Sequence, residues 1–208
     1  MIFSDRFEAG ELLALRLREY ANDPDTIVIA LPRGGVPVGY VIAKQLRLPL
    51  DIFFVKKIPS PYNPEAAIGA VSESGQEYIN ERAAMMLNVS RPYIEEQKEK
   101  ILQKIAQKRA LYNKPRLDVK GKRVILVEDG VATGASMYLA AKALRDEGAK
   151  EIIIAVPIAP PDSLALLKEA ADRVVVVNVP ADFMAVGQFY RDFHQLSDDE
   201  VKELLDAS

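Results

Sequence analysis

Between residues 123 and 179 the chain alternates short apolar runs with stretches of helical periodicity, and this alternation narrows the possible folds more than any other feature. Residues 124–127, 151–156 and 174–179 are almost wholly apolar and short enough to be buried strands. Residues 135–147, which run up to Gly148, and residues 162–170 carry the spacing of helices. Strands and helices in this order form βαβ units, whose strands pair in parallel beneath covering helices. The expected class is therefore α/β, a Rossmann-like parallel sheet flanked by helices.

The first half of the chain fits the same plan. Leu12, Leu13, Leu15 and Leu17 lie within a helical stretch at 6–20, and residues 26–31 form an apolar run before a Pro/Gly turn. A helix at 36–46 and a strand at 50–55 complete another unit. Three prolines and two lysines make 56–64 a loop. Residues 66–71 and 76–80 flank Ser72-Glu-Ser-Gly75 as a short hairpin. Residues 82–111 are mostly helical with a break near Ser90-Arg-Pro92, where Ser90 is a suitable N-cap. Ser197, with Glu200 three residues on, forms a capping box for a last helix. The 208 residues are expected to form one domain, with a helical insertion at about 81–112.

Composition excludes several classes of function. Cysteine is absent, which removes disulfides, thiolate zinc sites and cysteine nucleophiles. The formal net charge is -3, from 27 basic and 30 acidic side chains, so a nucleic-acid partner is not expected. The densest basic stretch, 98–108, is interleaved with Glu99, Ile101, Leu102 and Ile105 and suits a helix with one solvated face. No leader-like start and no apolar run of membrane-spanning length is visible, so the expectation is a cytoplasmic protein without a membrane partner. His194 is the sole histidine, and no Gly-x-Ser-x-Gly elbow accompanies it, which argues against a serine hydrolase.

The densest chemistry lies in Val124-Ile-Leu-Val-Glu-Asp-Gly-Val-Ala-Thr-Gly-Ala-Ser-Met137. Four apolar residues carry a strand into the core, and Glu128 and Asp129 stand where that strand should end. Ligands of open α/β sheets bind at the carboxyl ends of strands. Gly130, Val131, Ala132, Thr133, Gly134, Ala135 and Ser136 then form a turn of mostly small residues that feeds a helix N-terminus. Such a turn directs backbone N–H groups and the positive end of the helix dipole at a phosphate. The paired carboxylates suit the vicinal hydroxyls of a sugar. A phosphate cradle beside a diol grip describes a ribose 5-phosphate.

This segment resembles the 5-phosphoribosyl-1-diphosphate (PRPP) motif of the type I phosphoribosyltransferases: four hydrophobic residues, two acids, a short variable stretch, then Thr-Gly. Upstream, Ala30-Leu-Pro-Arg-Gly-Gly-Val-Pro37 is similar to the diphosphate loop of that family. Gly34 and Gly35 would let backbone amides approach a diphosphate, and Arg33 would offer a forked cation. The resemblance also implies a cis peptide at Arg33-Gly34. It implies a mobile basic loop over the site, for which Lys56 and Lys57 are the candidates, with residues 63–69 at its base. Residues 180–193 resemble the hood segment of the purine-type members, in which Phe183, Tyr190 and Asp192 would meet the base. The hood as a whole would come from about 1–20 and 180–208.

The activity so implied is transfer of the phosphoribosyl group from PRPP to a small nitrogenous base, releasing diphosphate. Glu128, Asp129, Arg33 and Lys57 are the implied catalytic groups. Mg2+ is the implied cofactor, with Asp129 and Asp192 as its carboxylates. A homo-oligomer, most simply a dimer, is implied as well. Ala132 departs from the 6-oxopurine members, which place an Asp immediately before Thr-Gly, and it leaves the base unnamed. The alternative is a PRPP-sensing regulator of the same fold. A ribose-phosphate diphosphokinase would need a second copy of the fold.

Overall fold

The computed structural model describes residues 1–63 and 66–208. In chain order the helices and strands are α1 (Arg6–Arg16), β1 (Thr26–Ala30), α2 (Gly35–Leu46), β2 (Leu50–Ile52), β3 (Val55–Pro59), β4 (Ala67–Ser72) and β5 (Glu77–Ile79). They continue as α3 (Glu81–Met86), α4 (Arg91–Tyr112), β6 (Arg123–Val127), α5 (Ala135–Asp146), β7 (Glu151–Ile158), α6 (Pro161–Ala170), β8 (Arg173–Asn178) and α7 (Asp198–Asp206). Short 3-10 turns occupy Arg18–Tyr20 and Val186–Phe189.

Five parallel strands form the central sheet in the order β2-β1-β6-β7-β8. Their near-continuous apolar sequences follow from cover on both faces. On one face Val28, Ala30, Ile125, Val127 and Ile153 pack with Leu13, Val36 and Ile42 of α1 and α2. On the other, Ile27, Ile29, Val124, Leu126 and Ile154 pack with Met137, Ala140, Leu144 and Leu167 of α5 and α6. The strict period of two along each strand produces this division. The strand order reverses between β1 and β6: the chain winds from β1 to β2 in one direction and from β6 through β8 in the other. That switch point opens a crevice at the carboxyl ends of β1 and β6, where the two glycine-rich segments lie.

The expected 50–55 strand is divided. β2 ends at Ile52, and Val55 opens β3, the first strand of a separate antiparallel sheet ordered β3-β4-β5. Lys56 and Lys57 therefore stand on a strand, paired with Val71 and Ala70, and not on a loop. Of the prolines that suggested a loop, Pro59 ends β3, an edge strand on which a missing N–H breaks no ladder. Pro64 and Glu65, assigned to the base of that loop, lie outside the described residues.

Ser90 caps α4 through the amide of Tyr93, and Ser197 with Glu200 forms the expected capping box on α7. Arg109 ties α4 to the sheet edge. Its guanidinium reaches Asp51 at 3.2 Å, Glu73 at 3.0 Å and the Ile52 carbonyl, and both carboxylates are almost fully buried. Removing one partner of such a cluster strands buried charge, at a cost of about 3–5 kcal/mol. Arg109→Ala should therefore lower the unfolding free energy by about 3 kcal/mol in a denaturant titration. A loss under about 1 kcal/mol would show that α4 docks through its apolar face alone.

Candidate functional site

The segment after β1 and the turn after β6 meet at the switch point, and Asp129 is where they touch. A Cβ added to Gly34 would lie 2.2 Å from Asp129 Oδ2, so only glycine lets this backbone pass the carboxylate. The cis peptide falls at Pro32-Arg33, one bond before the Arg33-Gly34 position expected from sequence. Arg33 is the residue shared by the two bonds.

Asp129 is buried and held from α1: Arg6 Nε donates to its Oδ2 at 2.8 Å, and Arg6 NH1 donates to the His194 carbonyl at 3.0 Å. The Phe193 ring covers the same guanidinium, with 4.0 Å between its carbon and the ring centre. Tyr190 Oη donates to the Asp129 carbonyl at 2.6 Å. Burial pushes the Asp129 carboxyl up, and the Arg6 hydrogen bond works against that shift.

Glu128 has the opposite character. It makes no hydrogen bond or ion pair to any described residue. It lines a cavity of about 340 Å³ with Lys57, the whole turn from Asp129 to Met137, Val186 and Phe193. Burial, then the adjacent Asp129, push its carboxyl up to about 8, and Lys57 pulls it back. The sequence presented two equivalent acids; the fold makes Asp129 a strut and leaves Glu128 available to a ligand.

The turn itself has the form of a phosphate cradle. Gly134 at φ 85° ends it and caps α5 without a side-chain hydrogen bond. Among the described residues the Ser136 and Met137 amides meet no acceptor, as expected for a helix first turn. Thr133 is exposed and Ser136 half-buried beside them. The back of the turn is fixed, since Val131 N donates to the Ile158 carbonyl at 2.9 Å and Ser163 Oγ donates to the Ala132 carbonyl. Lys57 thus joins Glu128, Gly130, Val131, Ala132, Thr133, Gly134, Ala135 and Ser136 at one cavity.

Other expected residues lie elsewhere. Arg33 and Lys56 line a separate cavity of about 200 Å³ with Phe54, Lys108 and Tyr112. Tyr190 does not line the Glu128 cavity: it is buried, with its ring packed on Phe3 and Phe193 at 5.4 and 5.1 Å. Phe183 stacks on Phe189 and faces a neighbouring cavity bounded by Ala132, Thr133 and Ser163. Asp192 is exposed and accepts from the backbone and ring of His194, whose other ring nitrogen meets Glu200. Among the described residues no three Asp, Glu or His side chains gather as a metal site. Arg6 bonds Asp129 and His194 bonds Asp192, and of these two carboxylates only Asp129 lines the Glu128 cavity. Any metal held by few protein ligands would find Glu128 as the free carboxylate of the turn's cavity.

Arg6, Val186 and Phe193 escape sequence reasoning as site residues. Arg6 lies 123 positions from Asp129 and inside an unremarkable amphipathic helix, so no local pattern marks it. Phe193 belongs to the aromatic segment, but its neighbours Phe183 and Tyr190 offer the same signal.

The chain is similar to known proteins along most of its length. The phosphoribosyl transferase domain matches residues 6–194. The chain belongs to that family. A Mycobacterium tuberculosis protein, named only provisionally as a phosphoribosyl transferase, is 39% identical over 209 residues, 100% of this chain and 47% of the relative. A ribose-phosphate pyrophosphokinase of Sulfurisphaera tokodaii is 27% identical over 164 residues, 71% of this chain and 50% of that protein. The chain thus spans about half the length of these curated relatives. The crystal structure of TT1426 from Thermus thermophilus has a TM-score of 0.82 at 38% identity, covering 99% of this chain and 98% of that one.

A carboxyl whose pKa rises on folding holds its proton more tightly in the folded chain. Stability is then lost as pH rises from the ordinary Glu value of 4.5 through about 8. Melting temperature should fall across that window, and less steeply in Glu128→Gln. Identical slopes for the two proteins would show that Glu128 ionises freely.

Proposed function

We propose that this chain binds PRPP and transfers its 5-phosphoribosyl group to a nitrogen nucleophile, releasing diphosphate. The observation that carries the reading is that one cavity is lined both by the unpartnered Glu128 carboxylate and by the free amides of the α5 first turn. The 5-phosphate takes the amides and hydroxyls of residues 133–136. The ribose hydroxyls meet Glu128, whose raised pKa would fall beside a cationic sugar, so that its negative charge forms where the transition state needs it. Arg33 and Lys56, which line a separate cavity, take the departing diphosphate, and Lys57, next to Lys56 on β3, lines the Glu128 cavity.

In the reaction the bond from C1 to the diphosphate oxygen breaks and a C1–N bond forms, and the incoming nitrogen gives up its proton. Positioning and charge stabilisation carry most of such catalysis. Mg2+, when bound with the diphosphate, would neutralise charge on the leaving group, with Glu128 as the available carboxylate and water completing its shell. Position 132 lines both the turn's cavity and its neighbour, and as alanine it brings no acid to the acceptor. A hood over a small nitrogenous base, a homodimer and a cytoplasmic setting belong to the same proposal.

With PRPP, Mg2+ and a panel of purine and pyrimidine bases, the protein should release diphosphate with at least one base. Glu128→Gln should lower that rate about 100-fold, within the range lost when one charged stabilising group is removed. PRPP binding without turnover on any base would favour the PRPP-sensing regulator.

A further inference from the structure

Helix α4 presents Lys100, Ile101, Lys104, Ile105 and Lys108 at spacings of three and four residues, which places them on one face. That face looks across at the β3–β4 sheet, and a cavity of about 440 Å³ lies between them. Its floor is apolar, formed by Ile101, Ile105, Pro59 and Ala67, and Lys56, Lys57, Lys100, Lys104 and Lys108 surround it. The volume falls in the range of about 300–1,000 Å³ typical of small-molecule sites.

The charge here is only partly compensated. Lys100 pairs with Glu96 at 2.5 Å and Lys108 with Asp198, but no described carboxylate lies within ion-pairing distance of Lys56, Lys57 or Lys104. In a chain of net charge -3, so many cations around one apolar hollow is a local reversal of sign. Partial burial, followed by the repulsion of Arg33 and Lys108, lowers the Lys56 pKa. An anion entering the hollow would relieve that repulsion, and an apolar body would cover the isoleucines. The hollow also adjoins both parts of the switch-point crevice, sharing Lys57 with the Glu128 cavity and Lys56 and Lys108 with the Arg33 cavity.

We infer that the hollow between α4 and the β3–β4 sheet is a second ligand site, which takes an anionic molecule with an aromatic body of nucleoside monophosphate size. The phosphate meets the lysines and the ring lies on Ile101 and Ile105. Binding at this site does not depend on the phosphoribosyl-transfer reading, and only an acceptor role for its ligand would rest on it. Two sources could supply the chemistry, an anionic acceptor substrate or a nucleotide effector. An acceptor is consumed when PRPP is added, and an effector is recovered unchanged.

The probe is adenosine 5′-monophosphate, titrated calorimetrically into the whole protein in the presence of saturating ribose 5-phosphate. Binding should persist under those conditions. It should weaken at least tenfold in Lys100→Glu/Lys104→Glu, and adenosine or inorganic phosphate alone should bind at least tenfold more weakly. Lys100→Ala/Lys104→Ala provides a milder form, and melting curves show whether either variant is folded. PRPP affinity should be unchanged in both variants, which separates this site from the turn after β6. Binding that ribose 5-phosphate abolishes, or that the folded lysine variants retain at full strength, would overturn the inference. So would the absence of any binding.

Discussion

The contact on which the site depends is the buried pair between Arg6 and Asp129. It joins the first helix of the chain to the turn that follows the sixth strand. The same guanidinium donates to the His194 carbonyl and lies under Phe193, so the C-terminal segment is fastened at that point too. Gly34 passes within contact of the carboxylate, which brings in the segment after β1. Four distant stretches of sequence meet at one ion pair. Burial makes the pair costly to break, because either partner left alone would be an uncompensated charge in the interior.

This arrangement divides the work between neighbouring carboxylates. Asp129 spends its charge on the scaffold, so Glu128 alone is open to a ligand. Proximity of the two also raises the Glu128 pKa, and a cationic or hydroxyl-rich partner would relieve that tension. The turn beyond them repeats the pattern. Its back is bonded to β7 and α6, and its front leaves helix amides free. Rigid support on one side and unmet hydrogen-bonding capacity on the other is what a preorganised anion site requires.

Much of the fold was legible because strand and helix periodicities are local. The parallel units, the caps at Ser90 and Ser197, and the glycine-rich turn after β6 all follow from residues close together in the chain. The departure at Lys56 and Lys57 came from the prolines that follow them, which suggest loop, although Pro59 is at home on an edge strand. The long-range contacts carried no such signal. Nothing near Arg6 announces Asp129, and nothing in the aromatic run before His194 shows that Phe193, and not Tyr190, lines the cavity. Tyr190 is committed instead to Phe3 and to the Asp129 carbonyl. The basic stretch on α4 reads from sequence as a solvated face, and only the β3–β4 sheet opposite turns it into a walled hollow.

The most direct test of the account is a crystal structure of the protein with ribose 5-phosphate. The phosphate should accept hydrogen bonds from the amides of Ser136 and its neighbours in the turn, with the ribose hydroxyls at Glu128 and the Arg6–Asp129 pair intact. A phosphate seated among the α4 lysines with the turn vacant, or a sugar that displaces Arg6 from Asp129, would contradict it.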